Sequence, residues 1–234
     1  MFLKKKVIAL IPAKNKSHGL PRKNYLKLNK QTLFEIAIKS AQNSRFIDSV
    51  FVSSDSIKIL KKSKKIGAKI IKRNKNLCLK KTPANKVILD AIKKIKKKLL
   101  NDFIIIYLQP TSPFRNHNHI NSAFKCLKKY KSNSIISITS NLKPIYKSVK
   151  IKKGLIKPIF KESFITSNRQ NFEATFYPNG AIYIFSASIF LKNKKIPIKN
   201  SLSYEMSQNC SHDIDTIDDY KVAKKLCKKF LIYK

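Results

Sequence analysis

The chain has 234 residues, of which 43% are apolar, and its 51 Lys and Arg against 12 Asp and Glu give a formal charge of +39 at pH 7. A chain of this length can bury a core as one domain, and no apolar run approaches the roughly 20 residues that span a bilayer. The apolar run at residues 7–11 follows lysines, as in a signal peptide, but it is short and no small-residue cleavage site follows it. We therefore predict one domain over residues 1–234, located in the cytoplasm and without a membrane partner.

The basic residues are 46 Lys and only 5 Arg, and they are spread over every segment. Base readout and bidentate phosphate contacts favour Arg, and the chain contains no zinc finger, basic zipper or aromatic RNA platform. We expect nonspecific binding to polyanions at low salt but no specific nucleic acid partner. A nucleic-acid-binding protein driven by charge remains the alternative from another class.

Strand-like and helix-like segments alternate along the chain. β-Branched and apolar runs predict strands at residues 7–11, 50–53, 68–71, 103–108, 135–139 and 181–185. Helical spacing of apolar residues predicts helices at residues 33–41, 57–66, 84–100, 120–130 and 218–230. Gly67 is expected to end the second helix, and Thr216 to cap the last one. This alternation predicts a three-layer α/β/α fold.

Residues 141–177 interrupt the alternation. Apolar and polar residues alternate at 147–151 and around 155–160, which predicts antiparallel ribbons. The sequence here indicates an irregular insertion, and a plain surface hairpin is the alternative.

The loop that follows the first strand is rich in cations. The apolar run ends at Pro12, and the polar loop after it carries four basic residues together with Gly19 and Pro21. Open α/β sheets bind ligands at the carboxyl ends of their strands. A cationic loop at that place predicts a polyphosphate ligand, and a basic surface loop without a ligand is the alternative.

Asp213 and Asp215 are conspicuous in a chain with only 12 acidic residues. In an extended segment, side chains two residues apart share a face, so both carboxylates would point one way and Ile214 the other. Two such carboxylates predict a site for Mg²⁺, or for Mn²⁺ in its place, shared with substrate phosphates. The alternative is a capping cluster that continues into Asp218 and Asp219.

Cysteine and histidine spacing predicts no further metal site. The pair His117 and His119 lies in a polar stretch without nearby acids or cysteines. Neither a CxxC pair nor a zinc pattern is present, which predicts reduced thiols at Cys78, Cys126, Cys210 and Cys227.

Four blocks of the chain carry a family resemblance. They are VIALIPAKNKSHGLPRKN at residues 7–24, QPTSPFR at 109–115, PNGAIYIF at 178–185 and DIDT at 213–216. In this order they resemble the acylneuraminate cytidylyltransferases (CMP-sialic acid synthetases), which activate sialic-acid-type sugars. The resemblance implies a Rossmann-like nucleotidyltransferase fold of the nucleotide-diphospho-sugar transferase type. It also implies a homodimer in which residues 141–177 form an arm that reaches the partner's site.

The resemblance also implies site residues. Lys23 would contact the triphosphate and act in catalysis with the metal ligands Asp213 and Asp215. The positions that match nucleotide-binding residues are Lys14, Asn15, Ser17, Asn24, Arg73 and Thr82. Those that match sugar-binding residues are Gln109, Thr111, Arg169, Gln170 and Asn179, with Arg169 and Gln170 acting across the dimer.

Four positions depart from the family pattern. Lys14 replaces Arg, His18 replaces Lys, Lys80 replaces Asp, and Tyr177 replaces an Arg that sialic-acid members often have. The predicted reaction joins CMP from CTP to a nine-carbon 2-keto sugar acid, with neuraminic, legionaminic and pseudaminic types all open. A nucleotidyltransferase for an eight-carbon 2-keto acid and a degenerate, inactive relative remain alternatives.

Overall fold

The computed structural model describes residues 2–17, 19–97, 99 and 101–231. His18 therefore lies outside the described residues. Within them the strands are β1 Lys6–Pro12, β2 Lys27–Leu28, β3 Gln31–Thr32, β4 Ser49–Ser54, β5 Lys69–Lys72, β6 Phe103–Tyr107, β7 Ser134–Ser140, β8 Val149–Lys152, β9 Leu155–Pro158, β10 Phe176–Ser186 and β11 Leu202–Glu205. The α-helices are α1 Leu33–Gln42, α2 Ile57–Lys65, α3 Ala84–Lys96, α4 His117–Lys129, α5 Ser163–Thr166, α6 Ala187–Asn193 and α7 Ile217–Leu231.

Seven strands form one mixed sheet in the order β11-β7-β10-β6-β1-β4-β5. β1 runs parallel to β4 and β6, and β4 runs parallel to β5. β10 is antiparallel to both of its neighbours, β6 and β7. The carboxyl ends of β1, β4 and β6 therefore meet at one edge of the sheet, and their loops face the same side.

The sheet is covered on both faces, because successive side chains of a strand point in opposite directions. Val7, Ala9 and Ile11 of β1 pack in a cluster with residues of α1, α2 and α4. Ile8 and Leu10 pack on the other face with residues of α3 and α6. This confirms the predicted three-layer fold and explains why β1 reads as a continuous apolar run.

Local signals set several helix ends as predicted. Gly67 follows α2 with a φ of +83°, a conformation that favours glycine and stops the helix. Thr216 caps α7, since its Oγ1 accepts a hydrogen bond from the Asp219 N–H while the Asp219 carboxylate accepts one from the Thr216 N–H. α4 begins three residues earlier than predicted because Asn116 accepts hydrogen bonds from the N–H groups of Asn118 and His119.

Other boundaries were wrong. α3 ends at Lys96 rather than at the predicted residue 100, and Ile95 is its last fully buried apolar residue. Residues 98 and 100 of the predicted helix lie outside the described residues. The prediction for residues 181–185 was too short, because β10 starts at Phe176, inside the predicted insertion. The short elements α6 and β11 were missed; β11 has no fully buried residue and pairs with the distant strand β7, and the buried residues of α6 pack partly against α3 and β6.

The insertion contains one antiparallel hairpin, β8–β9, and the short helix α5. Four aromatic rings pack together beside this hairpin, with centroids 5.3–6.0 Å apart; they belong to Tyr146, Phe160, Phe164 and Phe172. The insertion therefore has a small, partly exposed aromatic cluster of its own.

In the described part of the chain no helix is both long and apolar enough to cross a membrane. The four cysteines are free thiols.

Candidate active site

The loop after β1 is tied down at both ends. The Asn15 N–H donates to Asp55 Oδ1 at the end of β4 (2.8 Å), and Asn24 Nδ2 donates to the Lys14 carbonyl (2.8 Å). Asn24 is buried, so its amide closes the loop from within. Arg22 adopts a left-handed φ of +52°, and Lys23 then starts a short 3₁₀ turn. Lys14 and Lys23 are thereby held close to each other at the carboxyl end of β1.

The Asp213–Asp215 segment packs directly against this loop. A Cβ on Gly19 would lie 2.9 Å from the Asp215 carbonyl oxygen, so a larger residue at position 19 would push the two segments apart. Ile214 is fully buried and shares an apolar cluster with Leu20. Its N–H donates to the Thr111 carbonyl (2.9 Å), which fixes the segment to the loop after β6.

The two carboxylates face the same cavity while Ile214 points into the core. Asp213 accepts a hydrogen bond from Ser112 Oγ (3.1 Å), and Asp215 forms an ion pair with Lys23 Nζ (2.6 Å). Burial raises the pKa of the Asp213 carboxyl and outweighs the lowering effect of a hydrogen bond with Thr111; the nearby Asp215 raises this pKa further, while Ser112 and Lys23 lower it. Thr216 and Asp219, rather than these two aspartates, cap α7.

A cavity of about 330 Å³ opens at the carboxyl ends of β1 and β6. It brings together nine of the predicted site residues: Lys14, Lys23, Asn24, Arg73, Thr82, Gln109, Thr111, Asp213 and Asp215. Asn15 and Ser17 do not line it. Asn15 supports the loop through its backbone, and the buried Ser17 hydroxyl has no hydrogen-bond partner among the described residues.

One end of this first cavity is apolar, with Leu77, Leu79 and Val87 in its wall. Arg73 lies beside them and is held by Ser53, to which its Nε (3.1 Å) and Nη2 (2.7 Å) both donate. The other end carries Lys14, Lys23 and the two aspartates. The cavity therefore combines an apolar slot for a flat ring with a charged end suited to phosphates and a metal.

A second cavity of about 400 Å³ shares Gln109 and Asp213 with the first. Its other lining residues are Tyr177, Pro178, Asn179, Gly180, Tyr183, Gln208, Ser211 and His212. No Lys or Arg is among the described residues that line it. Two ligands bound in these adjoining cavities would meet at Gln109 and Asp213.

The second cavity is shaped by an irregularity in β10. The register between β10 and β7 shifts between Pro178 and Tyr183, so the intervening backbone groups lose their ladder partners. Side chains replace them: Asn179 Oδ1 accepts from the Ala181 N–H (3.1 Å), and Ser137 Oγ accepts from the Ile182 N–H (2.7 Å). The Asn179 amide also accepts from Ser137 Oγ and donates to Ser211 Oγ, so most of its hydrogen-bonding capacity is used within the fold. Its contact with sugar stays a prediction.

Gly180 gives the first testable prediction. Its φ is +76°, and an added Cβ would lie 2.8 Å from Gln109 Oε1 and 3.5 Å from Ser112 Oγ. We expect Gly180→Ala to cost about 1 kcal/mol of folding free energy through backbone strain and to displace the Gln109 side chain. Turnover should fall by more than the loss of folded protein explains, which pyrophosphate release and thermal unfolding together measure. Gly154→Ala, at a φ of +78° with open space around it, is the matched control. Equal losses of activity in the two variants would contradict a role for Gln109 placement.

Arg169 and Gln170, which were predicted to bind sugar, lie outside both cavities. They are exposed in a 3₁₀ turn of the insertion and line neither cavity of their own chain. Lys80 is exposed and lines neither cavity, whereas Tyr177 lines the second one.

Sequence analysis missed several residues that line the cavities, among them Tyr107, Tyr183, Gln208, Ser211 and His212. The two tyrosines could have been found from the sequence, because Tyr183 lies within the block at residues 178–185 and Tyr107 lies near the end of a predicted strand just before the block at 109–115. Tyr107 is fully buried, which raises the pKa of its phenol to about 12 and keeps it a neutral hydrogen-bonding group. Gln208 and His212 lie in an irregular segment without a periodic signal.

The geometry agrees with comparison to known proteins. The family model "Cytidylyltransferase" matches residues 8–234. The chain belongs to the cytidylyltransferase family.

Curated relatives of this cytidylyltransferase cover nearly the whole chain. It is 30% identical to an N-acylneuraminate cytidylyltransferase of Escherichia coli, over 97% of this chain and 53% of the relative. The chain thus spans about half the length of that protein. It is 30% identical to a CMP-N,N'-diacetyllegionaminic acid synthase of Legionella pneumophila (94% of this chain, 96% of the relative). It is 27% identical to a pseudaminic acid cytidylyltransferase of Campylobacter jejuni (95% and 97%).

A solved structure supports the fold. The chain is similar to a CMP:2-keto-3-deoxy-manno-octonic acid synthetase in complex with CTP, with a TM-score of 0.70 over 96% of this chain and 99% of the other. Sequence identity is 13%, so this likeness bears on architecture.

Proposed function

We propose that this cytidylyltransferase transfers CMP from CTP to a nonulosonic 2-keto sugar acid and releases pyrophosphate. The observation that carries the proposal is the pair of adjoining cavities that share Gln109 and Asp213, one lined by cations and an apolar slot and the other by neutral polar groups. Curated relatives named for neuraminic, legionaminic and pseudaminic acids support an acid of this class.

In this proposal CTP occupies the first cavity. Its base lies in the apolar slot near Arg73 and Thr82, and its phosphates lie near Lys14 and Lys23 at the carboxyl end of β1. Nucleotidyl transfer needs charge neutralisation and in-line placement more than a protein nucleophile. The anomeric hydroxyl of the sugar acid in the second cavity would attack the α-phosphorus, and pyrophosphate would leave.

Asp213 and Asp215 would hold the metal ion. Their two carboxylates face one cavity, and the pKa of Asp213 is raised mainly by burial and to a smaller extent by the charge of Asp215, two costs that a bound cation relieves. The described residues contain no group of three or more His, Cys, Asp and Glu suited to a metal, so substrate oxygens would have to complete the shell. This donor set fits Mg²⁺ or Mn²⁺, which would supply neutralisation of phosphate charge when bound.

The sugar carboxylate needs a cation that the described lining of the second cavity does not supply. We propose that Arg169, with Gln170, provides it across a homodimer built by the arm at residues 141–177. One face of the β8–β9 hairpin supports this assembly, because it exposes Val149, Ile151 and Ile156 to solvent in the single chain. Burial of such a ribbon against a second copy would favour association.

The dimer proposal predicts complementation. Arg169→Ala and Lys23→Ala chains should each be nearly inactive alone, whereas a mixture should regain activity, because one hybrid site keeps both Lys23 and Arg169. The measurement is pyrophosphate release after the two variants are mixed and allowed to exchange subunits. A fully active monomer by light scattering at assay concentration would contradict the assembly.

The proposed reaction is tested by pyrophosphate release across four nucleoside triphosphates and a panel of eight- and nine-carbon 2-keto sugar acids. We expect activity with CTP and a nine-carbon acid. Preference for an eight-carbon acid would favour the alternative nucleotidyltransferase, and no release with any pair would identify an inactive relative. Binding to DNA or RNA that persists at physiological salt with a sequence preference would favour the nucleic-acid alternative.

A further inference from the structure

A buried guanidinium lies beneath the junction of the two cavities. Arg115 is the largest fully buried side chain, with 1% of its surface exposed. Among the described residues no carboxylate pairs with it, and its Nε and Nη2 atoms have no hydrogen-bond partner. Burial lowers the pKa of this group to about 10, so it stays charged at neutral pH. An unpaired buried charge costs several kcal/mol of folding free energy. We therefore expect Arg115 to make a functional contribution that offsets this cost.

The bonds that Arg115 does make point to that use. Its Nη1 donates to the carbonyl of Gln109 (3.2 Å) and to the carbonyl of Ala181 (3.1 Å). Gln109 follows β6 and lines both cavities, while Ala181 lies in the irregular part of β10, where the ladder cannot satisfy it. One nitrogen thus ties the end of β6 to the bulge of β10.

The distance between these two segments decides where the Gln109 side chain lies. Gly180 precedes Ala181, and a Cβ added to it would lie 2.8 Å from Gln109 Oε1, so the Gln109 amide lies close against the backbone of β10 at a place where only glycine fits. If the irregular part of β10 moved away from β6, the Gln109 amide would have more space and would be less firmly placed. Arg115 itself lines neither cavity, so it can affect a ligand only through the groups that it holds.

We propose that Arg115 is a positioning residue, which fixes the Gln109 amide at the junction of the two cavities by clamping the Gln109 and Ala181 carbonyls. This inference rests on the proposed function for its catalytic readout. Arg115 would thus affect catalysis although it does not contact the substrate.

A double-mutant cycle tests the inference. Arg115→Met keeps length and apolar bulk but removes both hydrogen bonds, and we expect kcat/KM to fall by about tenfold or more. In a Gln109→Ala background the same change should cost less than about threefold, because the group that Arg115 positions is already gone. A purely structural role would lower the folded fraction and would give multiplicative effects in the cycle. Multiplicative losses would therefore overturn the proposal.

Arg115→Lys separates the clamp from the charge. It keeps a buried cation, but the lysine side chain is shorter by one atom and is not expected to hold both carbonyls. Arg115→Lys should therefore behave like Arg115→Met; activity equal to that of the unmodified protein would show that charge alone matters. Arg45→Met, the same change on the exposed surface, should leave kcat/KM unchanged. If Arg115→Met does not fold, the cycle is carried by Arg115→Lys.

Failure of the proposed function is distinguishable from failure of this inference. Absence of pyrophosphate release in the unmodified protein with every acid would refute the function. The cycle is then measured on the binding of CTP by calorimetry, because Gln109 also lines the first cavity. Coupling between positions 109 and 115 would support the clamp in that assay, and independent effects would overturn it.

Discussion

Lys23→Ala is expected to lower kcat/KM by about 10²–10³-fold while the fold stays intact, the loss typical when one preorganised charge-stabilising group is removed. The side chain is only 19% exposed and lies in the cationic cavity, where its ammonium is 2.6 Å from Asp215. In water-poor surroundings a fixed cation stabilises developing phosphate charge more strongly than a solvated one. Steady-state kinetics of pyrophosphate release measure the loss, and thermal unfolding checks the fold.

Two neighbouring lysines provide matched controls. Lys27 in β2 and Lys30 in the following turn are exposed and do not line the first cavity. Lys27→Ala and Lys30→Ala make the same chemical change within the same basic segment, so both should keep near-normal turnover. Three equal losses would mean that bulk positive charge, rather than one placed ammonium, drives phosphate binding. The unfolding midpoint of Lys23→Ala should change little, because ion pairs with a well-exposed partner contribute only about 0–1 kcal/mol.

Asp213→Asn and Asp215→Asn are expected to separate activity from stability. Each removes a charge but keeps the shape of the side chain, and we expect each to lower turnover by about 10²-fold or more, since charge neutralisation at the phosphates would be lost. Chelator should likewise abolish activity, and Mg²⁺ or Mn²⁺ should restore it. The measurement is a metal titration of pyrophosphate release for each variant.

Asp213→Asn is expected to stabilise the ligand-free protein even though it lowers turnover. Its folded pKa is raised above the usual 3.8, so the folded state binds the proton more tightly than the unfolded state. Stability is therefore lost as pH rises from that usual value through the raised folded pKa, and the ionised carboxylate weakens the ligand-free fold at neutral pH. Asp213→Asn should then raise the unfolding midpoint of the ligand-free protein at pH 7 and reduce its pH dependence.

Asp215 is the internal control for this effect. It is largely exposed and paired with Lys23, so Asp215→Asn removes an attraction together with the repulsion and should change the midpoint little. Wild-type turnover in the Asp213→Asn/Asp215→Asn double variant would show that neither carboxylate serves catalysis.

Periodicity predicted the layered fold because it reports burial directly. β6 was recognised as a fully buried strand, and α3 as an amphipathic helix, from residues within one window of sequence. The elements that were missed, among them β2, β3, α5, α6 and β11, are short, and β11 and α6 make contacts with β7, β6 and α3, which are far away in sequence. The identity of β11 and α6 depends in part on partners that no local window contains.

The candidate site shows the same difference between features set by local sequence and features set by distant contacts. Alternation along residues 213–215 was enough to place both aspartates on one side and Ile214 on the other. The resemblance of the four blocks supplied Lys23 and Gln109, but it did not distinguish residues that line a cavity from those that support one. Asn15 and Asn24 illustrate the point, since Asn15 supports the loop through its backbone and lines neither cavity, whereas Asn24 closes the loop and also lines the first cavity.

The sequence by itself determined the alternation of helices and strands, the loop that carries the cations, and the pair of carboxylates. Each of these features depends on neighbours within a few residues. Tertiary structure alone decided which of many lysines meets Asp215, 192 positions away, and that two cavities join at Gln109. It also decided that Arg115 lies buried beneath that junction, where one of its nitrogens donates to the carbonyl of Gln109, in the loop after β6, and to the carbonyl of Ala181 in β10. Such contacts arise from the closure of long loops, whose geometry is set by the packing of the whole sheet rather than by local preference.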